Sequence, residues 1–372
     1  MIKYAILGYG VVGSGVAEVM AEQAEKIARV VGDRVELKYI LVRHDYPGDP
    51  YADRMVTDFA VIENDPEVSV VAEVIGGIGA AYDYSKRALL AGKSVVSSNK
   101  ELVAVHGAEF CEIAREKGVN YLFEGSVGGG IPLLRPLTQC LAANRIDEVF
   151  GILNGTTNYI LTAMDAQGQS FEEALKKAQE LGYAEADPTA DVEGIDACRK
   201  TAILADLAFG WNMDPLAIPT RGITAITSAD LELASALGYA VKLLGRAIRA
   251  EGGCCAFVEP HLIPQSRLLA SVSGVMNACV VRGSAVGKMQ RELNALGYDC
   301  GTVDNDFGPE VDKAQVELSA ACDKFIYKLA IGKNVSKFIL VSTTQIYKQP
   351  DSREPVRGGP AGMPENRRAE NQ

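Results

Sequence analysis

The sequence predicts an α/β fold in two parts: a doubly wound parallel sheet at the N-terminus, then an α+β domain built on a mixed sheet. Three observations lead there. Short apolar strands alternate with helical patterns over roughly the first 130 residues, the order that parallel βαβ units require. Beyond residue 146 that alternation stops, and strands and amphipathic helices follow in a different order. The 372 residues are enough for two cores, and 48% hydrophobic with 23% charged residues is the balance of an ordinary globular protein.

Residues 4–7 form a short apolar strand that runs into Gly8-Tyr9-Gly10-Val11-Val12-Gly13. A helix follows from residue 14 to about 31, with Val16, Val19, Met20, Ile27 and Val30 toward one face. Residues 35–42 alternate as a strand and end at Arg43, and residues 68–75 are a buried strand stopped by Gly76-Gly77. A helix over 82–91 closes at Gly92, a strand covers 94–98, and after Asn99-Lys100 a helix over 104–117 ends at Gly118. Residues 120–124 are one more strand. In the second part, a strand over 146–154 leads into Gly155-Thr156-Thr157-Asn158, where Thr157 or Asn158 is placed to cap a helix over 159–166. Helices are expected over 171–181, 195–209 and 231–244, and strands over 246–250, 256–262 and 278–282. A helical pattern over 311–329 presents Val316, Leu318, Ala321, Phe325 and Leu329 for packing back on the first domain. From about residue 349 apolar residues almost vanish, which predicts a disordered tail. The expected divisions are 1–132, 133–310, 311–348 and 349–372.

Charge and composition exclude several classes of function. A formal net charge of −11 argues against a phosphate-backbone binder, so no nucleic-acid partner is expected. The apolar run over 68–78 is broken by Ser69 and Glu73 and falls short of a membrane span. The N-terminus enters a strand at once, without a signal-peptide pattern. Eight cysteines in a chain this long, with no CxxC pair and only His44, His106 and His261, read as reduced thiols in a cytoplasmic protein without a transition-metal centre.

Gly8, Gly10 and Gly13 form a GxGxxG pattern between a strand and a helix, with another strand about 30 residues on: the setting of a Rossmann-like dinucleotide site. Gly8 permits the tight turn, Gly10 lets the backbone approach a pyrophosphate, and Gly13 lets helix and strand pack closely. The amides of Val11 and Val12 open the helix toward the phosphates, and Gly76 borders the same crevice. A glycine-rich turn without a ligand is the competing reading. At the end of the next strand, Arg43 suits the 2′-phosphate of NADP, while Asp45, two residues on, suits the ribose diol of NAD.

Further on stand Ser98-Asn99-Lys100-Glu101, residues 123–132 (FEGSVGGGIP), residues 154–161 (NGTTNYIL), and residues 182–188 (GYAEADP) followed by Asp191, Asp196 and Lys200. In this order these motifs resemble homoserine dehydrogenase, and the resemblance runs from residue 1 to about 288. It implies a hydride exchange between L-homoserine and L-aspartate 4-semialdehyde with NAD(P), on the route to threonine and methionine. Asp196 and Lys200 lie at i and i+4 on one helix face, where the bland alternative is an exposed ion pair. The resemblance makes Lys200 the proton donor, Asp196 the neighbour that orients it or binds the substrate, and Lys100 a residue that meets both nicotinamide and substrate and supports proton transfer. It gives Glu185 the substrate amino group, with Asp191, Asn154 and Thr156 shaping the pocket. It also implies a monovalent cation, sodium, on carbonyls of Glu124, Val127, Gly129 and Ile131, in a segment that alternatively serves as a hinge. A homodimer formed through the second domain is expected.

After residue 288 the sequence departs from the family. A glycine-rich segment of the form GxGAGxxPTASAVVxD is expected there, and residues 289–304 read MQRELNALGYDCGTVD instead. The departure raises the alternative of a catalytically weak homologue that serves as a nucleotide-binding or dimer-partner subunit. A short form is expected, without the family's ACT regulatory domain or an aspartokinase fusion.

Overall fold

A computed structural model describes residues 1–142 and 144–283. The expected helix over 311–329, the tail and the divergent segment after Lys288 lie outside the described residues.

In chain order the elements are β1 (Ile2–Leu7), α1 (Val11–Glu22), α2 (Ala24–Val31), β2 (Val35–Leu41), β3 (Met55–Val56), α3 (Phe59–Glu63), β4 (Val68–Glu73), α4 (Gly79–Leu90), β5 (Ser94–Ser97), α5 (Lys100–Lys117) and β6 (Tyr121–Leu122). There follow β7 (Ile146–Ile152), α6 (Gly155–Gln167), α7 (Phe171–Glu180), α8 (Thr189–Val192), α9 (Ile195–Phe209), α10 (Ser228–Ala236), β8 (Tyr239–Ala250), β9 (Gly253–Pro264) and β10 (Ala278–Gly283).

The first six strands make one parallel sheet in the order β3-β2-β1-β4-β5-β6. Strand order reverses between β1 and β4, and a crevice opens there at the carboxyl ends of the strands. Gly8 follows β1 and Gly76 lies just past β4, so both border it. The second sheet, β10-β7-β8-β9, is antiparallel throughout its named strands. An isolated parallel bridge joins Thr220 to Val258 in β9. Helix α9 lies against this sheet at Gly245, where a Cβ would stand 2.0 Å from Thr201 Oγ1. That approach lets α9 bury Ala197, Thr201, Ala202, Leu204 and Ala205.

Several local expectations are corrected. The helix expected over 231–244 stops at Ala236, because Gly238 takes the left-handed conformation (φ +82°) and the chain turns into β8. The apolar residues after it suit a buried strand as well as a helix, and pairing with β9 from Tyr239↔Pro264 to Ala250↔Gly253 decides the matter. The helix expected over 14–31 is two helices, broken at Gln23. Small residues, Gly13 and Ala17, make the buried contact of α1, while Val19 and Val30 are exposed. Helix α5 starts at Lys100 rather than residue 104, capped by the Asn99 side chain accepting from Leu102 N. Helix α6 likewise starts earlier than expected: its cap is Asn154, not Thr157 or Asn158.

Near the end of α9, Asp206 accepts a hydrogen bond from Met213 N at 2.7 Å. Burial pushes its carboxyl up to about 7 from 3.8. The folded state therefore holds a proton that the unfolded chain loses near pH 4, so this group's contribution to stability falls as pH rises toward 7. Asp206→Asn keeps the acceptor and removes the titration. Its stability relative to wild type should rise between pH 4 and pH 7 in denaturant melts; a difference that stays constant with pH would contradict the assignment.

Candidate active site

Gly8 has φ +98°, and a Cβ at Gly13 would lie 2.1 Å from Gly8 O, so the turn and the start of α1 are compatible only with glycine at these two positions. At Gly10 an added Cβ meets nothing within 4 Å, which leaves the backbone open to a ligand. Val11 and Val12 are exposed, and Gly10 supplies no capping side chain, so amides of the first turn of α1 face outward. The conformation suits a dinucleotide pyrophosphate, favoured by both the amides and the helix dipole. Arg43 is exposed just past β2. Beside it His44 stacks on Tyr46 (4.9 Å), which meets Tyr9 of the glycine turn edge-on (5.5 Å), so the strand end and the turn form one rim.

The far side of the crevice is set by Asn99. Its Nδ2 donates to the carbonyls of Ile75 (2.9 Å) and Gly77 (2.6 Å), binding the loop around Gly76 to the start of α5. Below it, fully buried Glu73 accepts from Ile75 N (2.7 Å) and Ser97 Oγ (2.5 Å), and burial raises its carboxyl above the usual range.

The chemically distinctive cluster lies where α5, α9 and the β7–α6 junction meet. Asp196, in the first turn of α9, is buried, with 3% of its side chain exposed. Lys200 Nζ stands 2.7 Å from its Oδ2, Lys100 Nζ pairs with its Oδ1, and Asn154 Nδ2 donates to Oδ2 at 2.9 Å. Burial alone would raise the Asp196 carboxyl, but the two ammonium groups and the Asn154 hydrogen bond hold it well below the usual range. Lys200 Nζ also donates to Leu153 O at 2.7 Å. Asn154 Nδ2 reaches Asp191 Oδ1 at 2.7 Å, while its Oδ1 accepts from Thr157 N and caps α6. Burial, reinforced by the nearby Asp196 charge, raises the Asp191 carboxyl.

Five of the expected residues are thus tied together: Lys100, Asn154, Asp191, Asp196 and Lys200. The Thr156 hydroxyl instead anchors Tyr183, donating to its carbonyl at 2.6 Å. Glu185 lies two residues beyond that anchor, exposed, with its own carbonyl accepting from Gln179 Nε2. The Asp196–Lys200 pair is not an exposed helix bridge, since both side chains are largely enclosed. Sequence reasoning missed Leu153, whose main-chain oxygen carries no residue signature, and the cross-helix pair Arg199–Glu101 (2.7 Å). It also missed the cap at Asn99, which an Asn directly before a helical run does signal.

Among the described residues no group of His, Cys, Asp and Glu has the arrangement of a metal site. In the turn over 123–131 the internal hydrogen bonds use the carbonyls of Phe123 and Gly128. The Glu124 carboxylate accepts from the amides of Leu133, Leu134 and Arg135 at 2.6–2.8 Å. It secures the following turn rather than offering a free ligand. No helix among the described residues is long and apolar enough to cross a membrane.

Known proteins are similar to this chain in sequence and fold. The family profile for the homoserine dehydrogenase NAD-binding domain matches residues 8–124, and that for homoserine dehydrogenase matches residues 132–301. The homoserine dehydrogenase of Pseudomonas aeruginosa is 47% identical over 287 residues, covering 77% of this chain and 66% of its own length. A solved homoserine dehydrogenase from Thiobacillus denitrificans superposes with a TM-score of 0.73 at 44% identity, over 77% of this chain and 67% of that one. A hyperthermophilic archaeal homoserine dehydrogenase in complex with NADPH gives a TM-score of 0.64 at 25% identity, over 76% of this chain and 88% of that one. The chain spans about two thirds of the length of the curated relatives it matches. With an NAD-binding parallel sheet, an antiparallel second sheet and these relatives, the chain belongs to the homoserine dehydrogenase family of nicotinamide-dependent oxidoreductases acting on a CH–OH group.

Proposed function

We propose that this chain interconverts L-homoserine and L-aspartate 4-semialdehyde with NAD(P), in the biosynthesis of threonine and methionine. The observation that carries this reading is the buried Asp196 carboxylate paired with Lys100 and Lys200 beside the carboxyl edge of a nucleotide-binding sheet. When bound, the nicotinamide supplies or accepts a hydride at the substrate carbon. The glycine turn with the amides of Val11 and Val12 holds its pyrophosphate, and the loop around Gly76 lines its path.

An ammonium group has three N–H donors. Lys200 commits one to Leu153 O and one to Asp196, which leaves a third for the substrate oxygen. In reduction Lys200 gives that proton to the oxygen as the C–H bond forms; in oxidation the amine takes the hydroxyl proton as hydride leaves. Asp196 fixes the direction of both lysines, and Lys100 supports the transfer from the other side. Asp191 and Glu185 supply negative charge for the substrate amino group, with Asn154 and Thr156 shaping the floor. The carbonyls of Glu124, Val127, Gly129 and Ile131 form an oxygen donor set suited to a hard monovalent cation such as sodium. The second sheet is the surface through which a homodimer would form.

General acid–base catalysis is worth about 10²–10⁴-fold. Lys200→Ala should lower kcat by roughly that factor with dinucleotide affinity near wild type. Retention of most of kcat, or a loss traced wholly to cofactor binding, would contradict the assignment. Arg43 at the rim favours NADP over NAD. Arg43→Ala should weaken NADP binding, read by fluorescence titration, and leave NAD binding unchanged; equal losses for both would remove the basis for the preference.

A further inference from the structure

Two ion pairs cross the seam between α5 and α9. Lys100 and Glu101 are consecutive residues in the first turn of α5, and Asp196 and Arg199 stand at i and i+3 on one face of α9. Lys100 meets Asp196, and Glu101 Oε1 meets Arg199 Nη2 at 2.7 Å. Positive then negative on α5 faces negative then positive on α9, so a shift of one helix against the other brings like charges together. The first pair belongs to the proton-transfer cluster. The second has no part in it, being half-buried at the rim, with 27% and 33% of the two side chains exposed.

We propose that Glu101 and Arg199 are a positioning pair that keeps the first turn of α5 in register with α9, so that Lys100 stays on Asp196. Three observations support this. Lys100 is 42% exposed and has a long, flexible stem, so its contact with Asp196 depends on where the α5 backbone sits. An ammonium group at a helix N-terminus is opposed by the helix dipole, so α5 alone does not hold Lys100 in place. Asp196 is also held by Lys200 and Asn154, so it stays fixed whether or not Lys100 stays with it. The pair thus acts on Lys100 rather than on Asp196. Glu101 also suits the helix dipole, but that contribution survives loss of Arg199 and needs no partner.

The role of Lys100 rests on the proposed activity, and the experiment keeps the two apart. Wild type, Arg199→Ala, Lys100→Ala and the double variant form a mutant cycle read in kcat. Arg199→Ala should lower kcat by about tenfold with KM for homoserine within about twofold, since it misplaces a group that acts in the transition state. In the Lys100→Ala background the same change should cost less than about twofold. The exchange of charges, Glu101→Arg with Arg199→Glu, should restore most of the loss. Additive effects of Arg199→Ala and Lys100→Ala, or no rescue by the exchange, would overturn the proposal. A second readout needs no turnover: reductive methylation of the folded protein, with labelled lysines mapped by mass spectrometry. Arg199→Ala should speed labelling of Lys100 several-fold and leave Lys200 unchanged; equal labelling of Lys100 in both proteins would also overturn it. Absence of homoserine oxidation by wild type would overturn the reaction assignment instead, and the labelling would still decide the role of the pair.

Discussion

The buried carboxylate of Asp196 is the constraint on which the site depends. A carboxylate removed from water is costly unless oppositely charged and hydrogen-bonding groups surround it. Here those groups come from three separate parts of the chain: Lys200 from the next turn of α9, Lys100 from the start of α5, and Asn154 from the end of β7. Meeting the needs of one carboxylate thus gathers the parallel sheet, the second sheet and α9 at one point. It also leaves the two lysines close together without mutual repulsion deciding their placement. A third demand is met by Asn154, which joins Asp191 to Asp196 while capping α6.

Close backbone approach makes this assembly possible. Gly245 in β8 admits Thr201, one residue past Lys200, and so sets how deep α9 sits on its sheet. Gly13 does the same for α1 against the turn after β1. One contact fixes the lysine relative to Leu153 O just past β7, and the other fixes the N-terminal end of α1. Both are steric constraints, and an added methyl at either would push a helix off its sheet.

Much of this was legible in the sequence, for identifiable reasons. The parallel sheet could be read because apolar strands and helices alternate with glycine at the turns, and the i, i+4 spacing of Asp196 and Lys200 survives folding unchanged. The segment 231–244 was misread because a short apolar run has no period that separates strand from helix; only the partner β9 decides it. Lys100 was placed in a loop because its helix opens with polar residues, before any apolar repeat begins. The dual role of Asn154 and the Glu101–Arg199 pair depend on residues 37 to 98 positions apart, and no local pattern records such contacts. The gathering of Lys100, Asn154, Asp191 and Lys200 around Asp196 is therefore a tertiary result, even though each residue type was visible.

The most direct test is the rate of NADPH formation from L-homoserine by wild type and Asp196→Asn, with folding checked by circular dichroism. Asparagine preserves shape and removes the charge that orients both lysines. Wild type should oxidise homoserine, and a folded Asp196→Asn should lose about a hundredfold or more in kcat through misplacement of the proton-transfer groups. A folded variant that turns over homoserine at close to the wild-type rate would contradict the central place given to this carboxylate.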